Sequence, residues 1–125
     1  MIENLAIITN THSKNGDLWT AHVQQIKKYL DQPHYFFTDK EPEEDLGVTV
    51  VTYSKEDKFR TQFLKCLESV DEEFCLYLNE DYLLYESPDI EKLREYVNIL
   101  KDNEPLSFIR LAKGIDHFNI PYSST

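Results

Sequence analysis

Two adjacent carboxylates, Glu80 and Asp81, are the residues of this chain best suited to chemistry. They follow Asn79 and an apolar run at residues 74–78. An unbroken apolar run bounded by polar residues predicts a strand that is buried on both faces, typically in a parallel sheet. Ligands of open α/β sheets bind outside the carboxyl ends of such strands, and hard cations such as Mg²⁺ and Mn²⁺ prefer carboxylate oxygens. The pattern favours a metal site, with an acidic strand-to-loop exit as the alternative.

The elements that must position these carboxylates alternate along the chain. Apolar and β-branched runs predict strands at residues 5–8, 35–39, 48–52, 74–78 and 106–112, and residues 82–85 either extend the fourth strand or form a short extra one. Between the strands, apolar residues recur at helical spacing. These stripes are Trp19, Val23, Ile26 and Leu30; Phe59, Phe63, Cys66, Leu67 and Val70; and Ile90, Leu93, Val97 and Leu100. The alternation predicts an α/β fold, a three-layer sandwich with a mostly parallel sheet.

Capping residues mark the predicted helix starts. Asp17 is a candidate N-cap for the first helix, and the Ser-Lys-Glu-Asp sequence at residues 54–57 matches a capping box for the second. The Ser-Pro-Asp sequence at residues 87–89 offers the third helix a hydroxyl cap, a first-turn proline and a carboxylate at the positive helix end.

Length and charge limit the possible partners. A chain of 125 residues fits a single α/β domain, residues 1–125, with a core at about 4–112 and a tail at 113–125. The 23 acidic and 13 basic residues give a net charge of −10, which disfavours binding to nucleic acid and to anionic membranes. A phosphorylated ligand would need a metal or a local basic group to neutralise it.

The two cysteines and the apolar segments indicate the compartment. Cys66 and Cys75 both fall in apolar patterns and are expected to be small core residues rather than zinc ligands or disulfide partners. The sequence contains no signal-peptide pattern and no apolar window of about 18 residues. We therefore expect no membrane span and a reduced, cytoplasmic protein.

Polar residues follow the other predicted strands at the same edge of the sheet. Thr9, Asn10 and Thr11 follow the first strand, Asp39 the second, Tyr53 the third and Lys113 the last. His12 lies in the first loop and could meet a ligand, and Tyr53, Tyr82 and Tyr85 could stack on a base or sugar if they are not core residues. Arg60, on the helix before the acidic strand, could add a cation or lie at the solvated surface.

Residues 55–81 resemble the middle of GT-A nucleotide-sugar glycosyltransferases. In that superfamily a helix with an arginine precedes an apolar strand that ends in an Asp-x-Asp motif, whose positions fall here on Asn79 and Asp81. The Ala-Ile-Ile-Thr-Asn-Thr-His sequence at residues 6–12 resembles the first strand and loop of the family. The resemblance covers about residues 4–112. Asn79 replaces a carboxylate, Thr61 replaces an asparagine, and the segment after the acidic strand is shorter than the family's acceptor half.

The resemblance implies a Rossmann-like nucleotide-binding half and a metal-dependent donor site. The expected donor is a UDP- or GDP-linked sugar, which would be transferred to an unknown acceptor hydroxyl. The metal, Mn²⁺ or Mg²⁺, would be held by Glu80 and Asp81 with Asn79 as a supporting ligand. The implied nucleotide-site residues are Thr9, Asn10, Thr11, Asp39 and Arg60.

Two other functions fit the same sequence. One is a non-catalytic α/β module that binds a partner or serves as a structural subunit. The other is a receiver-like signalling domain, for which Lys113 fits and Asp39 or Asp81 could accept a phosphoryl group. Thr9 and Asn10 stand where a receiver needs an acidic pair, so this alternative is the weakest. The oligomeric state is left open by the sequence.

Overall fold

A four-stranded parallel sheet forms the centre of the first part of the molecule. The computed structural model describes residues 1–80 and 88–103. The chain divides into two compact units, Met1–Pro88 and Asp89–Thr125. The sheet of the first unit consists of β1 (Leu5–Asn10), β2 (His34–Thr38), β3 (Thr49–Thr52) and β4 (Phe74–Asn79), all parallel, in the order β3-β2-β1-β4. The α/β class and the first four predicted strands are confirmed.

Helices connect β1 to β2 and β3 to β4. A 3₁₀ helix (Ser13–Leu18) and α1 (Trp19–Tyr29) follow β1, and α2 (Phe59–Leu67) joins β3 to β4. The described part of the second unit contains α3 (Ile90–Asp102). Within the described residues, no helix has the length and apolarity needed to cross a membrane. The predicted strands at 82–85 and 106–112 lie outside the described residues.

The two long helices of the first unit cover opposite faces of the sheet. Side chains alternate along a strand, so neighbouring residues of β2 face different layers. Phe36 packs with Trp19 and Val23 of α1. Phe37 belongs instead to the cluster that contains Cys66 of α2. The first unit is therefore a helix–sheet–helix sandwich.

The apolar stripe of α1 is confirmed. Trp19, Val23, Ile26 and Leu30 are all at most 6% exposed. The Trp19 ring meets Phe36 edge-on, with ring centroids 5.7 Å apart, an arrangement that adds to the burial of apolar area. This packing fixes α1 against β2 and so fixes the loop that precedes α1.

A polar network is buried on the same face of the sheet. The Thr9 hydroxyl lies 2.8 Å from Nε2 of both His22 and His34. Thr9 and His22 are both 0% exposed, and His34 is 7% exposed. Within the described residues, His34 Nδ1 is a buried ring nitrogen without a hydrogen-bond partner. Burial lowers the pKa of His34 to about 3, and the neighbouring His22 and Lys27 further disfavour a positive charge there.

The expectation that β4 is buried on both faces is wrong. Residues of β4 alternate between half-buried and exposed, and both Cys75 and Tyr77 are exposed. The α2 face of the sheet is covered mainly over β1 and β2, where Cys66 packs against Ile8 and Phe37. Cys66 is a core residue as predicted, whereas Cys75 is not.

The predicted helix caps are also wrong in detail. The chain enters a 3₁₀ helix before Asp17, and α1 begins at Trp19 without a side-chain cap. Ser54 does not cap α2, because its hydroxyl accepts a hydrogen bond from Glu56 N (3.3 Å) and the helix begins only at Phe59.

The N-cap of the third helix lies two residues after the predicted hydroxyl cap. Asp89 is its N-cap, and the carboxylate accepts a hydrogen bond from Lys92 N at 3.1 Å. Ser87, the predicted cap, lies outside the described residues. The half-buried positions of α3 include Ile90, Leu93, Val97 and Leu100, as the apolar stripe predicted.

Gly47 is required by the backbone before β3. Its φ of +70° is a conformation that residues with a Cβ adopt only with strain, and a Cβ there would also touch the Lys27 ammonium. We expect Gly47→Ala to lower the free energy of unfolding by about 1 kcal/mol in urea denaturation.

Gly16→Ala is the matched control. Its Cβ would lie 3.9 Å from the Trp19 ring, an ordinary contact, so we expect a change within about 0.5 kcal/mol. Equal effects of the two substitutions would contradict the role assigned to the Gly47 backbone.

Candidate functional site

A cleft opens at the carboxyl ends of β1 and β4. Asn10 and Asn79, the last residues of these strands, are register partners. The strand order reverses here, because β1 connects to β2 on one side while the chain later returns to β4 on the other. Such a reversal leaves a crevice between the connections. The cleft has a volume of about 310 Å³ and is lined by Asn10, Thr11, His12, Asn15, Tyr53, Phe59, Gln62, Asn79 and Glu80.

The backbone after β1 is held from three directions. Thr11 N donates to Phe37 O (2.8 Å), which extends the pairing of β1 with β2. The Tyr53 hydroxyl donates to Thr11 O (2.7 Å), and Trp19 Nε1 donates to the Thr11 hydroxyl (2.9 Å). Thr11 is therefore a fixed part of the cleft wall, with its polar groups engaged by the protein.

The 3₁₀ helix carries two further residues of the wall. His12 is its N-cap, and His12 Nδ1 accepts a hydrogen bond from Lys14 N at 3.1 Å. Asn15 Nδ2 donates to Glu80 Oε1 across the cleft. The Asn15–Glu80 contact ties the loop after β1 to the end of β4.

Asp39 lies behind this loop rather than in the cleft wall. Its side chain is 0% exposed, and it accepts hydrogen bonds from Ser13 N (2.7 Å) and the Ser13 hydroxyl (2.8 Å). Lys55 Nζ lies 3.1 Å and His12 Nε2 3.6 Å from Asp39 Oδ2. Burial alone would raise the pKa of Asp39, but the hydrogen bonds from Ser13 and Lys55 outweigh it and hold that pKa well below its ordinary value.

The first turn of α2 contributes an aromatic ring and an amide to the cleft. Phe59 is 60% exposed and stacks on Phe63, with centroids 5.9 Å apart and planes 8° from parallel. Gln62 lies three residues later, on the same helical face. The sequence pattern placed Phe59 in the core stripe of α2 and gave no role to Gln62. The three-residue spacing of Phe59 and Gln62 is the sequence feature that places them on one helical face. Their position at the edge of the sheet follows from the start of α2 at Phe59, which the sequence pattern did not predict.

The structure brings together only some of the predicted site residues. Asn10, Thr11, Asn79 and Glu80 line the cleft, and so do His12 and Tyr53. Thr9 is buried on the α1 face, in the network with His22 and His34. Asp39 supports the cleft through Ser13, and Arg60 is exposed and not part of the lining.

The predicted metal ligands are divided between described and undescribed residues. Asn79 and Glu80 line the cleft, whereas Asp81 lies outside the described residues. Among residues 1–80 and 88–103, no group of three or more His, Cys, Asp or Glu residues is placed to hold a metal ion. The metal site at residues 79–81 therefore stays a prediction.

The electrostatics of the cleft favour a neutral tyrosine hydroxyl in its wall over a tyrosinate anion. Burial raises the pKa of the Tyr53 phenol, and the negative charges of Asp39 and Glu80 raise it further. Tyr53 is therefore a neutral hydroxyl at physiological pH, and its proton is directed to Thr11 O. Glu80 is the carboxylate in the described lining.

Known proteins do not identify this cleft. No family model, no curated protein and no solved structure matches the chain. The function must therefore be argued from the geometry and chemistry of the cleft itself.

Proposed function

We propose that this protein binds a nucleotide-sugar donor in the cleft, as the donor-binding domain of a GT-A-like glycosyltransferase. The observation that carries the proposal is the position of the cleft, outside the carboxyl ends of β1 and β4 at the reversal of strand order. In open α/β sheets this is where nucleotides bind, since the chain connections on the two sides diverge and leave room for a ligand.

The order of the strands supports a nucleotide-binding half over a receiver. The order β3-β2-β1-β4 matches the first four strands of the Rossmann arrangement, 3-2-1-4. Receiver domains have β1 between β2 and β3, whereas here β3 pairs with β2. The arrangement therefore favours the nucleotide-sugar proposal over the signalling alternative.

The lining of the cleft suits a base or sugar. Phe59 presents an exposed ring on which a planar or apolar face can stack. Asn10, Asn79 and Gln62 supply amides that can form hydrogen bonds. Aromatic stacking combined with a few polar groups is typical of small-molecule sites.

A diphosphate would need added positive charge. The chain has a net charge of −10, and Glu80 places a carboxylate in the described lining. Mn²⁺ or Mg²⁺ held by Asn79, Glu80 and Asp81 remains the proposed source of that charge. When bound, such an ion would neutralise the diphosphate and stabilise its charge as a leaving group.

Isothermal titration calorimetry of the full chain tests this proposal. We expect saturable binding of UDP- or GDP-sugars in the presence of Mn²⁺ or Mg²⁺. Glu80→Gln should weaken that binding about tenfold or more, because a carboxylate contact contributes about 1.5–3 kcal/mol.

Glu68→Gln is the control for the Glu80 substitution, since Glu68 is exposed at the end of α2 and outside the cleft lining. It should leave affinity unchanged. If no nucleotide or nucleotide sugar gives heat with either metal, the proposal fails and the non-catalytic module is favoured.

A further inference from the structure

Two amides from neighbouring strands lie side by side in the cleft. Asn10 of β1 and Asn79 of β4 are register partners. Tyr77 packs against Phe63 of α2 with ring centroids 5.6 Å apart, and residues two apart on a strand share a face, so Asn79 also faces α2. Asn10 is on the same side, because its Nδ2 donates to the Tyr77 hydroxyl at 3.3 Å. Both amides therefore lie on the face of the sheet from which α2 brings its residues to the cleft.

Further polar groups reach the cleft from other elements. Asn15 comes from the 3₁₀ helix, Gln62 from α2, and Glu80 directly follows β4. Each amide carries both N–H donors and a carbonyl acceptor, whereas the ionised carboxylate accepts only. A ligand in the cleft therefore meets donors and acceptors that come from four different elements, so these groups surround it instead of lying along one edge.

The described lining has no cationic partner for a phosphate. It contains no lysine or arginine. His12 Nε2 lies 3.6 Å from Asp39 Oδ2, so the Asp39 carboxylate already faces that ring. Glu80 adds a negative charge that repels an anion. This lining therefore favours a neutral part of a ligand, rich in groups that form hydrogen bonds.

We propose that the described cleft holds a neutral saccharide ring, with hydroxyls at the amides of Asn10 and Asn79 and a C–H face on Phe59. The inference rests on the proposed donor-binding function, because it states which unit of the donor lies in this cleft. The volume of about 310 Å³ is at the lower end of small-molecule pockets, so it suits one ring-sized unit and not a whole nucleotide sugar.

Hydroxyl groups suit this mixed lining better than a nucleobase does. A hydroxyl both donates and accepts, so a sugar with hydroxyls around its perimeter pairs with amides on every side. A nucleobase has a fixed pattern of donors and acceptors in one plane and is joined to ribose on one side, so it leaves more of the amides unpaired, which costs affinity. The resemblance implied nucleotide contacts for Asn10 and Thr11, and the saccharide assignment differs from that expectation.

Phe59 provides the apolar surface on which the sugar ring would lie. Its ring is 60% exposed, and Phe63 stacks behind it with centroids 5.9 Å apart, so the ring is held while one face remains accessible. The C–H groups on one face of a sugar ring are apolar, and its hydroxyls are polar. An aromatic ring beside several amides matches both parts of such a ligand.

NMR of the isotope-labelled full chain tests the inference. The probes are the methyl glycosides of glucose, galactose and mannose, added without metal or nucleotide. We expect at least one of them to shift the side-chain amide signals of Asn10 and Asn79 saturably. With Mg²⁺, a nucleotide sugar that carries the same sugar should shift these signals too, whereas free UDP and GDP should leave them nearly unchanged.

Substitution of Phe59 tests the stacking surface. Phe59→Leu keeps an apolar side chain and removes the planar face, so the affinity for the glycoside that binds should fall about fivefold. Phe59→Trp should retain that affinity. Leu64→Ala is the matched control, because Leu64 is 50% exposed on the same helix and outside the cleft lining, and it should change nothing. Unchanged affinity in Phe59→Leu would overturn the assignment of the sugar to this ring.

A charged analogue tests the selection for a neutral ring. The uronic acid counterpart of the glycoside that binds carries an added carboxylate, so the negative charge of Glu80 should weaken its binding about fivefold or more. Glu80→Gln should narrow that difference. Equal binding of the two glycosides to the parent protein would overturn the selection for a neutral sugar.

The outcomes separate the two proposals. Shifts of the Asn10 and Asn79 amides by free nucleotides and by no glycoside would overturn the saccharide assignment and support the nucleotide-binding function. Binding of a glycoside, with no binding of any nucleotide or nucleotide sugar, would overturn the donor function and support the saccharide site. Absence of binding by all of these probes, in a chain whose circular dichroism shows it to be folded, would overturn both.

Discussion

Replacing Asp39 with alanine is expected to lower the free energy of unfolding by about 3 kcal/mol in urea denaturation at pH 7. The carboxylate is fully buried and accepts two hydrogen bonds from Ser13, one from the backbone N–H and one from the hydroxyl. Its removal leaves these donors without their acceptor in a site that water reaches poorly. Each hydrogen bond to a charged group contributes about 1.5–3 kcal/mol, so the loss of two such bonds should lower the free energy of unfolding more than most surface substitutions do.

The ion pair with Lys55 should account for little of this loss. The Lys55 side chain is 53% exposed, and a half-exposed pair is screened by solvent. We therefore expect Lys55→Met to cost less than about 1 kcal/mol. Asp31→Ala, an exposed carboxylate at the end of α1, should be close to neutral. A Lys55 substitution as costly as Asp39→Ala would show that the charge pair, and not Ser13, carries the effect.

The acid dependence of the Asp39 contribution has a definite sign. Because the pKa of Asp39 is lowered in the folded state, the stability that it contributes is fully present above the ordinary value of 3.8. That contribution is lost as the pH falls below this value. The difference between the parent protein and Asp39→Asn should accordingly be constant above about pH 5 and shrink in stronger acid.

The role of Asp39 explains how a residue outside the cleft shapes it. Ser13 is the first residue of the 3₁₀ helix, and His12 and Asn15 on either side of it line the cleft. Loss of the Asp39–Ser13 bonds frees that loop from the end of β2. Asp39 therefore holds a loop of the cleft and does not belong to the described lining, and the direct nucleotide contact that the resemblance implies stays a prediction.

Much of the fold was predictable because its signals are local. The stripe from Trp19 to Leu30 has helical spacing, and the β-branched residues at 48–52 favour a strand whatever surrounds them. The burial of β4 was not predictable in the same way. Whether residues 74–79 are central or half-exposed depends on which elements lie beside and above them, and that is a tertiary property.

The location of the cleft was predictable, but only part of its lining was. The rule that parallel strands end at one edge correctly brought Asn10, Asn79 and Glu80 together. It could not place Thr9, because a shift of one residue along a strand reverses the face, and Thr9 points to α1 while Asn10 lines the cleft. The rule also did not predict that Gln62 lines the cleft, because the position of Gln62 depends on where α2 begins.

Acidification is expected to destabilise the fold through His34 well before the carboxylates titrate. The pKa of His34 is lowered from 6.5 to about 3, mainly by burial and further by the neighbouring His22 and Lys27. The folded state therefore keeps the ring neutral while the unfolded chain takes up a proton below pH 6.5. The contribution of His34 to stability is constant above that pH and falls below it, by about 3 kcal/mol at pH 4.5.

The hydrogen bonds around Thr9 explain why the added proton is so unfavourable. The single Thr9 proton can be donated to only one of the two histidines, so the other must donate to the Thr9 oxygen. His34 Nδ1 has no partner within the described residues, and a buried unpaired acceptor costs less than a buried unpaired donor. The favoured arrangement has His34 donating through Nε2 and Thr9 donating to His22. Protonation of His34 would place a charged N–H at Nδ1, where residues 1–80 and 88–103 provide no acceptor.

Denaturation midpoints measure the pH dependence of stability, and NMR of the histidine rings measures the protonation of His34. Both are followed between pH 7 and pH 4.5, above the range in which Asp39 titrates. The His34 ring signals should show no protonation in the folded protein across this range. His34→Gln should flatten the decline of stability with pH. Ile26→Val, a conservative substitution in the same apolar layer, should lower stability by about 1 kcal/mol and keep the decline. A His34→Gln profile of stability against pH as steep as that of the parent protein would assign the acid sensitivity to other groups. The reason is that His34, buried and neutral in the folded protein, is the group through which the unfolded chain binds a proton more readily than the folded one.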